Sequence, residues 1–186
     1  YRRQRQMCIR DSLVDRDGTI NRKPERARYL ADWADWRFVP ETLEALKTLA
    51  AAGWSFVVIS NQAGVGRGMV TEEQVWELDR RMKEALGREG VPILGSHYCF
   101  HHWEDHCLCR KPEPGMFHAA SRDYGVRLDR AWYLGDDPRD AVAAWRAGCR
   151  CAYIGPPAEL DSIDDEARPA LVAADARMFA ERLLHA

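Results

Sequence analysis

Asp15 and Asp17 stand one residue apart at the end of a short apolar run, in Asp15-Arg16-Asp17-Gly18-Thr19. On an extended strand residues i and i+2 face the same way, so the two carboxylates can converge on one small volume. Like charges held that close repel unless a proton or a cation intervenes. Gly18 permits a tight turn directly after the pair, and Thr19 adds a hydroxyl beside it. Such an arrangement suits a divalent metal and a phosphate, with one carboxylate attacking and the other carrying a proton. The same five residues could also form a surface loop or a calcium turn, so the weight falls on what the rest of the chain supplies.

Three further groups follow in order: Ser60-Asn61-Gln62, Arg110-Lys111-Pro112 and Gly135-Asp136-Asp137. Hydrolysis of a phosphate monoester needs a nucleophile, neutralisation of the phosphoryl oxygens and a proton for the leaving alkoxide. Asp15 can attack and form an aspartyl phosphate. Magnesium, a hard ion that prefers oxygen ligands, would join Asp15 to the phosphate and reach Asp136. Crowding of carboxylates is expected to leave a proton on Asp17, which then serves as acid and base. Ser60 and Lys111 would grip phosphoryl oxygens. Taken singly, Ser60 could be an ordinary strand-terminal hydroxyl, Lys111 a solvated lysine and Asp136 a helix cap. Lys23, Arg26, Arg67 and Arg110 lie close enough in sequence to supply cations to a second phosphate on the substrate.

A separate cluster, Cys99, His101, Cys107 and Cys109, offers three thiolates and one imidazole with five residues between the histidine and the next cysteine. That is a tetrahedral zinc set with no open position for catalysis. Its expected role is to staple the loop that carries Arg110 and Lys111; a reduced, metal-free cluster is the alternative, and His102 or His106 could replace His101. Cys149 and Cys151 are read as buried small hydrophobes rather than a redox pair. The seven tryptophans, several near residues 33–36 and 103, could line the approach to the site or serve as packing, and they are assigned no role.

The elements that position these residues alternate. Apolar runs predict strands at 13–14, 54–59, 93–100, 131–134 and 150–154, and helical spacing predicts helices from Pro40 to Gly53, from Thr71 to Gly90, over 115–124, over 138–147 and near 178–184. Pro40 suits a first helical turn, Thr71 with Gln74 makes a capping box, and residues 20–37 read as an irregular loop over the site. Strands alternating with helices imply an α/β fold: a doubly wound, Rossmann-like parallel sheet whose ligands bind at the carboxyl ends of its strands. Asp15, Ser60, Lys111 and Asp136 all fall at or just past such ends.

With 186 residues the chain fits one domain. A net charge of −2 gives no electrostatic reason to expect nucleic acid or a membrane surface as partner, and no apolar run is long enough to span a bilayer. The absence of a signal-peptide pattern and the metal-like cysteine spacing point to the cytoplasm, and a monomer is expected. Residues 1–12 are basic and polar where a buried first strand should be apolar, and Met7 to Ser12 resembles one reading frame of a sequencing-library adapter. This stretch is therefore expected to be non-native, with the domain running over 13–186.

The four motifs resemble, in type and order, those of the haloacid dehalogenase superfamily of phosphatases. The resemblance runs from Leu13 to about residue 155. Within the superfamily it is similar to the small group that contains heptose-bisphosphate and histidinol-phosphate phosphatases. The resemblance implies Asp15 as nucleophile, Asp17 as acid/base, Ser60 and Lys111 on the phosphoryl group and Arg110 on the substrate. It also implies that Asp15, the Asp17 carbonyl and Asp136 hold magnesium, and that no separate cap domain covers the site. The loop from Asn61 and Gln62 through Arg67 and the run Lys111 to Met116 resemble those of the heptose enzymes, and Asn61 and Gln62 are accordingly expected to touch substrate. The five-residue gap in the cysteine cluster resembles the histidinol-phosphate relatives instead. A small phosphorylated sugar is the expected substrate.

Overall fold

The computed structural model describes residues 10–25 and 28–185. Its strands are β1 Arg10–Val14, β2 Trp54–Asn61, β3 Ile93–Cys99, β4 Trp132–Gly135, β5 Arg150–Tyr153 and β6 Leu171–Val172. All pair in parallel, in the order β3-β2-β1-β4-β5-β6. The helices are α1 Pro40–Ala51, α2 Ala63–Gly66, α3 Glu72–Arg88, α4 Gly115–Tyr124, α5 Pro138–Arg146 and α6 Ala176–Leu184.

Alternation along the strands feeds two cores, one on each face of the sheet. Val14, Phe56, Val58 and Leu134 pack with Leu46 and Leu49 of α1, Leu78 and Met82 of α3, and Phe179 and Leu183 of α6. Leu13, Val57, Ile59 and Tyr133 point the other way, against Phe117 and Ala120 of α4 and Ala141 and Ala144 of α5. Every named strand belongs to this one sheet, so no independent cap is built on it among the described residues. No described helix is long and apolar enough to cross a membrane.

The first strand is longer than its apolar content predicts. Arg10, Asp11 and Ser12 pair with Trp54, Ser55 and Phe56, because ladder hydrogen bonds use backbone groups that any residue carries. Ser12 is buried and donates its hydroxyl to the Trp132 carbonyl at 3.0 Å. Residues 1–9 of the segment expected to be non-native lie outside the described residues, as does Arg26.

Two short elements had no sequence signal strong enough to predict them: β6, two residues long, and α2, a single turn in the Gly-rich stretch after β2. The Thr71–Gln74 capping box forms as expected. Topologically the important point is the middle of the sheet. Chain order runs outward through β2 and β3 on one side of β1, then restarts with β4 on its other side. Connections diverge at that switch point, and the crevice they leave opens at the carboxyl ends of β1 and β4.

Candidate active site

Asp15 directly follows β1 and Asp136 directly follows β4, so the two carboxylates flank the switch point. One carboxylate oxygen each from Asp15, Asp136 and Asp140 lies within 4.8 Å of the others. A hard oxygen-donor set of this kind fits magnesium. The backbone makes room for it: at Gly18 (φ +97°) a Cβ would sit 2.0 Å from Asp136 Oδ2. Thr19 donates its hydroxyl to Asp136 Oδ1 at 3.2 Å. Burial and the neighbouring Asp15 push the Asp136 carboxyl up to about 7.

Lys111 is the cation set among these acids. Its Nζ lies 2.8 Å from Asp15 Oδ1 and 2.7 Å from Asp140 Oδ1, with all three side chains buried. It also donates to the Tyr133 hydroxyl at 2.6 Å. Burial opposes its charge, but Asp140 and Asp15 more than compensate and raise its pKa. The backbone of Lys111 is fixed to β2 by a reciprocal pair: Lys111 N–H donates to Asn61 Oδ1, and Asn61 Nδ2 donates to the Lys111 carbonyl, both at 3.0 Å.

The cap of α5 is Asp137, whose carboxylate accepts from the Arg139 N–H at 3.0 Å. Asp136 is therefore free for the site. Asp140, one turn into α5, accepts from the Asp137 N–H at 3.1 Å and completes the capping box while facing Lys111.

Asp17 behaves differently from the expectation. The chain leaves the extended conformation after Val14, and the Arg16 carbonyl accepts from the N–H groups of Thr19, Ile20 and Asn21. Asp17 thus sits in a turn, and its carboxylate joins a second cluster. Arg16 donates to it from Nε (3.1 Å) and Nη2 (2.9 Å), Asn21 from Nδ2 (3.0 Å) and Gln62 from Nε2 (2.8 Å). Burial alone would raise its pKa, but the Arg16 guanidinium and these donors hold it below the ordinary value. The acid whose carboxyl is pushed upward is Asp136 rather than Asp17. Arg16 itself is fully buried and lies over the Tyr98 ring, 5.5 Å from its centroid.

Asp15, Asp17, Ser60, Asn61, Arg110 and Lys111 line one cleft of about 560 Å³. Lys23 is there too, bridging Asp136 at 3.1 Å and Asp137 at 3.9 Å. Arg110 carries a buried Nη1 with no protein partner. Arg67 lies between the rings of Tyr29 (5.6 Å) and Trp103 (5.0 Å) and donates to the Tyr29 hydroxyl. Gln62, expected to touch substrate, is buried and absent from the cleft wall. Sequence reasoning missed Arg16, Asp140 and Tyr29 and left Trp103 undecided between the site and packing; of the three missed, only Asp140 left a signal, as an acid four residues after Asp136 in a first helical turn.

Beside the cleft, Cys99, His101, Cys107 and Cys109 converge. Their sulfurs lie 3.5–3.6 Å apart, and His101 Nδ1 is 3.2 Å from the Cys109 sulfur. Sulfurs at about 2.3 Å from a tetrahedral zinc would lie about 3.8 Å apart, so the set fits that ion.

The family model for Polynucleotide kinase 3 phosphatase matches residues 12–148. The chain is 34% identical over 142 residues to D-glycero-beta-D-manno-heptose-1,7-bisphosphate 7-phosphatase of Pseudomonas aeruginosa, covering 76% of this chain and 79% of that one. It is 32% identical over 154 residues to D-glycero-alpha-D-manno-heptose-1,7-bisphosphate 7-phosphatase of Photorhabdus laumondii subsp. laumondii, covering 78% and 82%. A crystal structure of D,D-heptose 1,7-bisphosphate phosphatase from B. bronchiseptica, complexed with magnesium and phosphate, superposes with a TM-score of 0.84 at 30% identity, covering 95% of this chain and 99% of that one. The chain belongs to the Polynucleotide kinase 3 phosphatase family of haloacid-dehalogenase-like enzymes, and it is a phosphoric monoester hydrolase.

Proposed function

We propose that this protein removes the 7-phosphate of D-glycero-D-manno-heptose 1,7-bisphosphate, in the cytoplasm, through an aspartyl-phosphate intermediate. The observation that carries the reading is the convergence of Asp15, Asp136 and Asp140 on one small volume, with Lys111 paired to Asp15 and Asp140, beside a cleft with cationic walls. Asp15 and Asp136, with the Asp17 carbonyl, would hold magnesium, which supplies charge neutralisation for the phosphoryl oxygens. The carboxylate of Asp15 bonds to phosphorus as the bond to the sugar oxygen breaks, and Asp17 gives that oxygen its proton. A bound phosphoryl group adds negative charge beside Asp17, which favours its protonated form. In the second half, Asp17 takes a proton from water as the water oxygen bonds to phosphorus, releasing phosphate and Asp15. Lys111 stays against the nucleophile throughout, and Ser60 donates to a phosphoryl oxygen.

The walls support a second anionic group on the substrate. Arg28, Arg67 and Arg110 line the cleft beyond the acids, against Glu25 as the one acid there outside the catalytic strand ends. A buried guanidinium nitrogen without a partner, as on Arg110, costs free energy until an anion meets it. This balance disfavours a cationic substrate such as histidinol phosphate. The zinc set would hold Arg110 and Lys111, which directly follow Cys109.

Steady-state kinetics on heptose 1,7-bisphosphate (both anomers), histidinol phosphate and a 3′-phosphorylated oligonucleotide test the reading. The heptose ester should have the highest kcat/KM, and Asp15→Asn should abolish turnover with an unchanged circular-dichroism spectrum. Preference for either other substrate, or activity surviving in Asp15→Asn, would overturn it.

A further inference from the structure

Gln62 is buried just past the end of β2, and its amide meets the acid/base residue and the phosphate-gripping hydroxyl at once. Nε2 donates to Asp17 Oδ2 at 2.8 Å and to Ser60 Oγ at 3.2 Å, while Oε1 accepts from Arg16 Nη2 at 2.8 Å. Both N–H bonds of one amide group are therefore spent on two different functional side chains. Electrostatics fixes which way the amide faces. Turned over, it would set its carbonyl against the Asp17 carboxylate and its NH₂ against the Arg16 guanidinium.

Each of these bonds constrains chemistry. Ser60 Oγ accepts from Gln62, so its own O–H is left to donate into the cleft, where a phosphoryl oxygen would take it. Asp17 is held on one oxygen by Asn21 and Arg16 and on the other by Arg16 and Gln62. Arg16, in turn, is kept in place by the Gln62 carbonyl and by the Tyr98 ring, whose hydroxyl is anchored on Asp79 at 2.8 Å. Removing the amide would loosen all three together: Asp17 would lose one of the two donors on Oδ2, Arg16 one acceptor and the Ser60 hydroxyl its donor. Gln62 does this without touching the cleft, although its neighbours Ser60, Asn61 and Ala63 all line it.

We infer that Gln62 is a positioning residue: it aims the Asp17 carboxyl at the leaving oxygen and the Ser60 hydroxyl at the phosphoryl group of the same ester. The inference rests on the phosphatase reading above. Aim matters most for proton donation, in which the O–H bond of Asp17 breaks as the ester P–O bond breaks and the proton ends on the departing alkoxide. A substrate whose leaving group is a weak base, such as p-nitrophenyl phosphate, has little need of that proton.

The test compares kcat/KM, which reports the steps up to leaving-group departure, for the heptose bisphosphate and for p-nitrophenyl phosphate. Wild type, Gln62→Met and the isosteric Gln62→Glu are measured, with magnesium affinity followed by calorimetry. General-acid catalysis contributes about 10²–10⁴-fold, so loss of aim should lower kcat/KM for the alkyl ester by about tenfold or more beyond the loss on the aryl ester. Magnesium affinity is followed because Asp17, through its carbonyl, would also hold the ion: a loss of affinity large enough to account for the kinetic loss would overturn the aiming role. Equal losses on both esters, or no loss, in whichever variant folds would overturn the role of Gln62 and leave the phosphatase reading standing. Failure of wild type on both esters would instead remove the reading on which it rests.

Discussion

Lys111 and Asp140 form an ion pair 2.7 Å long with both side chains buried, 4% and 1% exposed. Lys111 is at the same time 2.8 Å from Asp15, so one buried cation balances the acids at the switch point. Lys111→Met would leave Asp15, Asp136 and Asp140 crowded with no protein cation buried among them. Stranding buried charge costs about 3–5 kcal/mol. For a domain of this size that is a fall in melting temperature of roughly 6–20 °C. Added magnesium should narrow the gap, because it supplies the missing positive charge. Removing one acid should help as well, so Lys111→Met/Asp140→Asn is expected to melt above Lys111→Met in metal-free buffer. Thermal melts of the three proteins check this; a double variant no more stable than the single one would refute the charge-balance argument.

Zinc removal should separate the cysteines into two classes. Cys107 and Cys109 are only half-buried and would owe their protection to the ion they would share with Cys99 and His101. Cys149 and Cys151 are protected by the sheet itself: Cys149 is buried just ahead of β5 and Cys151 on it, and burial pushes the Cys149 thiol up to about 12 and holds Cys151 well above its ordinary value. At pH 8 a thiol of pKa 12 is ionised about once in 10⁴ molecules, and the thiolate is the reactive form. After chelation, alkylation mapped by peptide mass spectrometry is expected at Cys107 and Cys109 but not at Cys149 or Cys151. The melting temperature and kcat/KM should fall together, since Lys111 follows Cys109 by two residues. Labelling at Cys149 in the folded, chelated protein would show that burial does not protect it.

What could be read in the chain and what could not divide along physical lines. Asp15, Asp136 and the cysteine cluster were legible because parallel strands deliver their ends to one edge, and because soft ligands at short spacing serve few purposes. Helix boundaries at Pro40, Thr71 and Gly148 were legible through capping chemistry. Asp17 reaches the same cleft as Asp15, but its donors were not foreseen, because the period-two rule assumes the strand continues whereas the chain turns at Arg16. Arg16 was overlooked because a charged side chain beside two acids reads as solvated, yet it is fully buried with Asp17, Gln62 and the Tyr98 ring as partners. Gln62 showed the opposite error: a polar residue in a phosphate motif suggests contact with substrate, but only three-dimensional packing reveals that it faces inward. Trp103 and Tyr29 are aromatic residues in polar loops, a pattern shared by packing and recognition; their place on either side of Arg67 depends on the fold.

Two glycines with the same backbone demand but different surroundings allow the metal site to be tested apart from strain. Gly18 has φ +97° and Gly53 has φ +86°, so alanine at either must adopt a left-handed conformation, at a cost of order 1–3 kcal/mol. A Cβ at Gly53 meets nothing within 4 Å, whereas at Gly18 it meets Asp136 Oδ2 at 2.0 Å and Cγ at 2.5 Å. Gly18→Ala must therefore push the Asp136 carboxylate aside and break its bond to Thr19. Losing one well-placed carboxylate ligand should weaken magnesium binding by about tenfold or more, in keeping with the 10–100-fold effects of disturbing partners that orient metal ligands. Gly53→Ala should lose similar stability while binding magnesium as wild type does. Calorimetric titration of both variants with magnesium decides the matter: equal affinities would mean that Asp136 does not hold the metal from the position the fold gives it.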